Sequence, residues 1–383
     1  MTKAAELAKM GEVLTNSQIG GRRNIIINGA MQVAQRGTTT GQGGAEAYSA
    51  VDRMKIFGGS TAGRLTSSQD SDSPVFFGNS LKLDCTTADT SIAAGEFLLL
   101  EQRLEGQDLQ QLEFNQSSAK ATTISFYVKG NAAAQYTFAL QYHLSGGTAR
   151  WFTKGFAVTT DWARITITIP GDTQASDGSN YGIADNNATG ANLMIWLHGG
   201  TNFSSGTHQD TAWADRSYTT LFQDNQTSFY DSTNRTFFFT GFQFELGSQA
   251  TPFEHRSFGE ELALCQRYFR KIIASSSEQS LALFSTGQAF GASSAYVFNN
   301  LPVTMRGKPS ISNSISALGN LGAFAANGGG MAISAVAIVT ARSNTDRVTA
   351  SLTVASGSFT AGQAVQVDGG NLDGSFIAYD SEL

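Results

Sequence analysis

The stretch ARITITI, residues 163–169, indicates the fold class of this chain. Successive side chains of an extended strand point to opposite faces, so Ile165, Ile167 and Ile169 share one face and the threonines between them share the other. One apolar and one polar face predict an antiparallel strand that packs on a core on one side and meets water on the other.

Comparable strand-like runs recur along the chain, separated by turns rich in Gly, Asn and Ser. They are residues 51–57, 81–85, 97–104, 122–129, 136–142, 151–158, 191–198 and 236–246. Short strands without intervening helices predict an all-β protein whose main domain, residues 24–257, is a jelly-roll β-sandwich of two Greek keys.

Two segments have a helical pattern instead. The N-terminal segment, residues 1–23, has apolar residues at helical spacing, and an isolated helix of about ten residues is marginal in water. It is either a frayed terminus or a docked attachment or trimerisation segment, for which the attachment residues are Leu7, Met10, Val13 and Leu14. The second segment is a predicted linking helix over residues 258–275, with acidic residues in its first turn.

The last part of the chain, residues 276–383, is predicted to form a second, smaller β-sandwich. Its alternating runs are residues 281–285, 295–301, 331–340, 347–354 and 375–379. Charged residues are scarce there, and the cores of protein interfaces are depleted in charge. This composition favours association with further copies of the chain.

Composition excludes several classes of protein. Of the 383 residues only 15% are charged, against a usual value of about 25%, and the net charge is −6. An acidic chain is not expected to bind nucleic acid, and no apolar run is long enough for a membrane helix. No signal peptide is visible, so synthesis is expected in the cytoplasm of the cell that makes the protein. Cys85 and Cys265 are expected to be separate buried thiols.

The motifs of common enzymes are missing from the sequence. No HExxH, GxSxG or phosphate-loop motif occurs. Two carboxylate pairs, Glu245 with Glu254 and Asp210 with Asp215, could be proposed for glycoside cleavage, but their spacing does not support it. The loop 172–186 could hold calcium, although a solvated loop is favoured. We therefore expect a protein that is not an enzyme, with no catalytic residue, no metal and no cofactor.

Aromatic residues near polar ones are the candidates for ligand binding. In ANLMIWLH, residues 191–198, alternation places Trp196 on the face opposite Leu193 and Ile195. The following loop is rich in polar and aromatic residues, and loops often carry recognition. The candidate ligand-binding residues are Trp196, His208, Asp210, Trp213, Asp215, Arg216 and Tyr218.

Several longer motifs resemble a family of bacteriophage virion proteins. The motifs are NIIINGAMQVAQRG from residue 24, TTISFYVKG from 122, DWARITITIPGDT from 161, the run 236–269 and the ending IAYDSEL. The family comprises tail-fibre and appendage proteins, common in marine phages, with a jelly-roll domain like a carbohydrate-binding module.

The resemblance implies a structural virion protein, a homotrimeric tail fibre or spike whose β domains project outward and contact host cell-surface polysaccharide. Its N-terminal segment would bind other virion proteins. The alternative is a capsid-decorating or head-fibre protein without a ligand, and a further rival is a depolymerising enzyme. The first matching motif begins close to residue 1 without a long shaft, which leaves the tail and the capsid open as locations.

Overall fold

The computed structural model describes residues 3, 23–145, 149–173, 182–208, 210–215, 217–223, 226–273, 286–313, 321–325, 330–355, 358–369 and 376–383. The chain divides into two compact units, Met1–Glu261 with Leu383, and Leu262–Glu382. The attachment residues Leu7, Met10, Val13 and Leu14 lie outside the described residues, as does the predicted run 281–285.

The first unit consists of two antiparallel sheets. The six-stranded sheet has the order β1 (Thr39–Gln42), β4 (Arg64–Asp70), β5 (Ser80–Thr87), β13 (Thr236–Leu246), β7 (Thr122–Gly130) and β10 (Ala163–Ile169). The seven-stranded sheet has the order β12 (Ala214–Asp215), β9 (Arg150–Val158), β8 (Ala134–Tyr142), β11 (Thr189–Gly199), β6 (Phe97–Glu105), β3 (Lys55–Gly59) and β2 (Ala47–Tyr48). The chain changes sheet repeatedly, as in β5–β6, β6–β7, β7–β8 and β9–β10, which is the layout of a jelly roll.

The core of this unit lies between the inner faces of the two sheets. Strand β10 behaves as its alternation predicts, because Ile167 and Ile169 are buried and the intervening Thr168 is exposed. Phe126 of β7 meets Phe156 of β9 edge-on, with ring centroids 5.2 Å apart. Contacts of this kind between layers are typical of a sandwich core.

Four strands of this unit escape prediction from the sequence: β1, β2, β4 and β12. Strand β1 has the sequence TTGQ, and β4 has the sequence RLTSSQD. Leu65 and Ser67 of β4 point inward, yet only one of them is apolar. Edge and near-edge strands bury little apolar surface, so their pattern is weak.

The predicted linking helix is shorter than expected. It spans Phe258–Gln266, and the boundary between the two units falls within it. The segment that follows is strand β14 (Phe269–Ile273), which pairs with β22 (Phe376–Asp380). Aromatic and β-branched residues favour a strand when a partner strand is present, and this pairing overrides the helical spacing.

The second unit is also built of antiparallel strands. Six of them close into a barrel in the order β15 (Thr286–Gly291), β16 (Ser294–Asn300), β20 (Arg347–Val354), β19 (Gly330–Ile338), β18 (Leu321–Ala325) and β21 (Ala364–Gly369). A three-stranded sheet has the order β14, β22 and β17 (Ser310–Asn313). The sequence predicted a sandwich here. Alternation is the same in a sandwich and in a barrel, because closure depends on which strands pair at the edges.

Short helical turns complete the structure. They are Gly106–Leu112, Thr201–Ser204, Tyr218–Thr220, Phe229–Asp231 and Thr340–Arg342. Within the described ranges, none of the helices has the length and apolar character needed to cross a membrane. Cys85 and Cys265 are buried thiols that are not joined in a disulfide, as predicted.

Candidate functional site

The loop after β11, residues 200–223, lies against the outer face of the seven-stranded sheet. At its start the Gly200 N–H donates to the Glu96 carbonyl at 2.8 Å. At its end the Gln223 N–H donates to Thr137 Oγ1 at 3.2 Å. All the predicted ligand-binding residues other than Trp196 lie in this loop, but the structure does not bring all of them to that face: Trp213 packs against core rings at the end of the sandwich, and Arg216 lies outside the described residues.

Apolar side chains from five strands and from the loop form a second cluster on this outer face. We call it the aromatic layer: Phe57, Phe97, Leu99, Ala139, Trp151, Met194, Trp196, Phe203, Leu221 and Phe222. The Trp196 ring lies 5.3 Å from Phe203 and 6.2 Å from Phe97 between centroids. Trp196 therefore lies on the outer face, as the alternation predicts, but the loop buries it to 3% exposure.

Two tryptophans of the aromatic layer have an unsatisfied hydrogen-bond donor. Trp151 and Trp196 are 6% and 3% exposed, and their indole N–H groups find no acceptor among the described residues. A buried donor without a partner costs roughly 1–3 kcal/mol, which is why native structures rarely contain one. Two such donors on one face mark it as a place where acceptor atoms of a ligand would be stabilising.

Polar residues form a row across the same face. Arg103 of β6 is opposite Asn192 of β11, Asn192 is opposite Gln141 of β8, and Gln141 is opposite Trp151 of β9. Neighbouring strands are about 4.8 Å apart, so this polar row spans about 14 Å. Arginine and amide side chains each offer several hydrogen bonds, and the row ends at an indole.

Mutual hydrogen bonds hold the polar row in place. Arg103 Nε donates to Glu101 at 3.0 Å, and Asn192 Nδ2 donates to the other oxygen of Glu101. His143 Nε2 lies 3.2 Å from Asn192 Oδ1. Burial raises the pKa of the Glu101 carboxyl. The side chains of Arg103 and Asn192 are therefore held in place before any ligand arrives, which reduces the entropy lost on binding.

The structure gives Trp213 a packing role. Its ring lies 5.1 Å from Tyr142 and 5.3 Å from Phe114 between centroids, and its indole N–H donates to the Pro170 carbonyl at 2.6 Å. A satisfied donor and neighbouring core rings anchor the loop to the end of the sandwich. Trp213 thus supports the face from its margin.

The carboxylate of Asp215 takes part in a network at the same end. It pairs with Arg150, whose Nε also donates to Asp172 at 2.7 Å. Asp172 is buried and accepts the Tyr142 hydroxyl at 2.5 Å. Its carboxylate therefore holds β8 and β9 together, and does not belong to a solvated loop. Residues 174–181 of the loop 172–186 lie outside the described residues.

The predicted residues His208 and Asp210 fasten the loop to β9. The His208 ring lies 3.3 Å from Thr153 Oγ1, and Lys154 Nζ donates to Asp210 at 2.6 Å. The hydrogen bond from Lys154 lowers the pKa of Asp210. Both contacts are made by the chain to itself.

Tyr218 and Arg216 are the last two of the predicted ligand-binding residues. Tyr218 is half exposed at 50%, so its ring is open to water at the edge of the loop. Arg216 lies outside the described residues.

Sequence reasoning missed the polar row and Trp151. A signal for Trp151 exists in WFTKGFAV, residues 151–158, because Phe152 and Phe156 point inward and alternation then sends Trp151 outward. No comparable signal links Arg103, Asn192 and Gln141, because only strand pairing makes them neighbours.

The carboxylates considered for catalysis are engaged within the chain. Glu245 accepts the Thr251 N–H at 2.9 Å, and Glu254 accepts the Asn24 N–H at 2.6 Å. In the part of the chain that the structure describes, no three His, Cys, Asp or Glu side chains are grouped to hold a metal ion.

A serine, a histidine and a carboxylate do meet elsewhere. His198 Nδ1 lies 2.7 Å from Ser228 Oγ, and its Nε2 lies 3.3 Å from Glu96. His198 is fully buried, and Ser228 Oγ also accepts the Tyr230 N–H as the cap of a helical turn. A general base must reach the substrate, so this contact joins β11 to the turn after it and is structural.

Comparisons with known proteins assign the chain to no family. No family model and no curated protein matches the sequence. Among solved structures, the CBM22-1 xylan-binding domain of Paenibacillus barcinonensis Xyn10C matches 60% of this chain and 99% of its own, with 12% identity and a TM-score of 0.28. The enzymatically active domain of bacteriophage CBA120 tailspike protein 4 matches 58% of this chain and 21% of its own, with 10% identity and a TM-score of 0.28.

A further match is the family 11 carbohydrate-binding module of Clostridium thermocellum in complex with a β-1,3-1,4-mixed-linked tetrasaccharide. It covers 56% of this chain and 98% of its own, with 12% identity and a TM-score of 0.27. Similarities with TM-scores this low identify no function, so only the geometry of this chain bears on what it binds.

Proposed function

We propose that this protein binds glycans through the outer face of its seven-stranded sheet. The observation that supports the proposal most directly is the polar row, which ends at Trp151, an indole whose N–H has no acceptor among the described residues. A pyranose has an apolar C–H face and a rim of hydroxyl groups. An aromatic ring suits the first, and arginine and amide groups suit the second.

Ligand entry requires part of the loop to move. Trp151 and Trp196 are buried in a cluster that includes Leu221 and Phe222 of the loop, and the Trp196 ring lies 5.3 Å from that of Phe203, another loop residue. Moving this cover exposes apolar surface, and a bound sugar would cover that surface again while accepting hydrogen bonds from both indoles. The unfavourable free energy of moving the loop is then offset only when a ligand is bound. Because a larger ligand covers more of the exposed surface, we expect an extended glycan to bind better than a monosaccharide.

We place this activity on a phage particle, in keeping with the sequence motifs that resemble virion appendages. In this proposal the protein is a homotrimeric tail fibre or spike in the virion, attached through its N-terminal segment to other virion proteins. It binds host cell-surface polysaccharide without cleaving it. Three copies of a weak site would together give high avidity, because each further contact is intramolecular.

The test uses affinity electrophoresis and calorimetry of the whole chain with xylan, mixed-linked β-1,3-1,4-glucan and alginate. We expect retention by at least one of them. Trp151→Phe keeps the ring but removes the N–H, so it should weaken binding about tenfold, the effect of one hydrogen bond in a dry site.

The matched control is Trp162→Phe on the other sheet, whose indole N–H donates to Asp72 at 2.9 Å. It should leave glycan affinity unchanged. Equal affinities of wild type and Trp151→Phe for a retained polysaccharide would move the site away from this face. Failure to bind any of the three, or polysaccharide from the host, would contradict the glycan-binding proposal itself.

A further inference from the structure

The turn between β4 and β5 carries two large apolar side chains that are surrounded by water. Val75 is 78% exposed and Phe76 is 89% exposed. The Phe77 N–H donates to the Pro74 carbonyl at 3.0 Å, which closes a four-residue turn. Phe76 occupies the third position of this turn with φ of +74°.

This backbone conformation disfavours a phenylalanine. In the left-handed region the Cβ atom crowds the backbone, so turns of this kind usually place Gly or Asn at the third position. Phe76 thus strains the backbone and also exposes a large apolar surface, and both effects are unfavourable in an isolated molecule. Strain held by the surrounding structure points to a use for the side chain.

Contacts of the neighbouring residues hold the turn in place. The Phe77 ring packs 5.0 Å from Phe253 and 5.4 Å from Tyr127 between centroids. Ser73 Oγ donates to the Phe77 carbonyl at 2.7 Å. Because the residues on either side are fixed, Phe76 projects from a rigid platform and loses little freedom when it is buried by a partner.

The surroundings of the turn favour a protein partner over a lipid surface. No Lys or Arg occurs between Arg64 and Lys82, Asp70 and Asp72 precede the turn, and the lysine that contacts this segment, Lys129, is paired with Asp72 at 2.6 Å. Loops that insert into membranes combine apolar residues with cations that attract anionic headgroups. A side chain held at a fixed backbone angle also suits a partner of fixed shape, and a fluid bilayer has no fixed shape.

Among protein partners, a second copy of this chain fits best. Only 15% of its residues are charged, so a neighbouring copy offers surface with little charge to desolvate. The first unit also displays further exposed apolar side chains, Ile92 at 47% and Tyr218 at 50%. In a closed cyclic assembly, such residues of one copy can be covered by the next copy all the way round.

We propose that Val75 and Phe76 form a self-association contact, in which the turn of one copy packs against apolar surface of a neighbouring copy. Two side chains cover far less than the ~800 Å² per partner of a stable interface. The turn is therefore one anchor within a wider contact. This inference rests on the oligomeric part of the proposed function and is independent of glycan binding.

The test is sedimentation equilibrium of the whole chain over ~1–100 µM, a range that resolves micromolar association. Wild type should self-associate, and Phe76→Gly should raise the dissociation constant at least tenfold. Where both are monomeric, the variant should melt about 2–4 °C higher, because the strain is relieved and the fold is kept. Val75→Ser should weaken association less, and Phe290→Ser, which removes a 48% exposed ring in the second unit, should not change it.

Three results would overturn the proposal. Wild type could remain monomeric throughout the range, or it could associate with the same constant as Phe76→Gly. The third result is that Phe76→Gly leaves the mass unchanged and instead abolishes binding to phosphatidylcholine–phosphatidylglycerol vesicles, which would identify a membrane contact. Glycan binding by the monomeric variant, measured in parallel, separates failure of this contact from failure of the proposed glycan site.

Discussion

The two outer faces of the sandwich use tryptophan in different ways. On the six-stranded side, the Trp162 N–H is satisfied by Asp72 at 2.9 Å. On the seven-stranded side, Trp151 and Trp196 are nearly buried and have no acceptor among the described residues. A donor satisfied by its own chain contributes to stability, whereas a buried donor left open has a stabilising partner only when a ligand supplies one. The state of the N–H therefore distinguishes the tryptophans that we propose bind a ligand from those that pack, and burial alone does not.

The largest expected effect concerns the ion pair that connects neighbouring segments on each side of the sandwich. Asp172 is buried against Arg150, whereas the Asp72 side chain is 39% exposed against Lys129. Asp172→Ala leaves the Arg150 guanidinium with the exposed Asp215 as its counter-charge and removes the acceptor of the buried Tyr142 hydroxyl, so it should lower the free energy of unfolding by about 3–5 kcal/mol. Asp72→Ala should cost less, about 1–2 kcal/mol, because water screens the pair with Lys129 and the Trp162 N–H also loses its acceptor.

Tryptophan fluorescence during urea unfolding measures both variants. All four tryptophans (Trp151, Trp162, Trp196 and Trp213) lie in the first unit, so the signal reports that unit alone. Similar losses in the free energy of unfolding for the two variants would show that the two ion pairs stabilise the first unit equally.

A second prediction compares one phenylalanine from each outer face of the sandwich. Phe222 is 5% exposed in the aromatic layer, whereas Phe253 is half-buried beside Phe77. Phe222→Ala should destabilise the first unit by about 3 kcal/mol and should increase iodide quenching of tryptophan, because it opens the layer. Phe253→Ala should cost about 1–2 kcal/mol and leave quenching unchanged. Unchanged quenching in Phe222→Ala would mean that the loop does not cover the tryptophans by itself.

The smallest expected effect concerns His198 on the seven-stranded side. Burial lowers its pKa, so the folded protein holds fewer protons than the unfolded chain below the ordinary value of about 6.5. Its contribution to stability is therefore present above that pH and is lost as the pH falls from about 6.5 toward the lowered pKa.

The comparison variant is His198→Gln, in which this titration is absent. Urea unfolding at about pH 7.5 and 5.5, on either side of the ordinary pKa, should show a smaller loss of stability for the variant than for wild type. Equal losses in the two proteins would mean that carboxylates alone set the pH dependence in this window.

Local patterns predicted much of the fold because alternation is a property of a single strand. The Ile residues of β10 and the outward position of Trp196 follow from it. The helix predicted past Gln266 was wrong because residues 269–273 have a strand partner more than one hundred residues later along the chain. Trp213 was predicted to bind ligand, but the Pro170 carbonyl that satisfies its N–H is distant in sequence.

The sequence by itself determined that this is an all-β chain and which side chains of its longer strands face the core, since both depend on spacing within a few residues. Tertiary structure alone decided that Arg103, Asn192, Gln141 and Trp151 form one row, that the loop covers the aromatic layer, and that the second unit closes into a barrel. The physical reason is that strand register and loop docking are set by contacts between distant segments, whose free energies no local pattern contains.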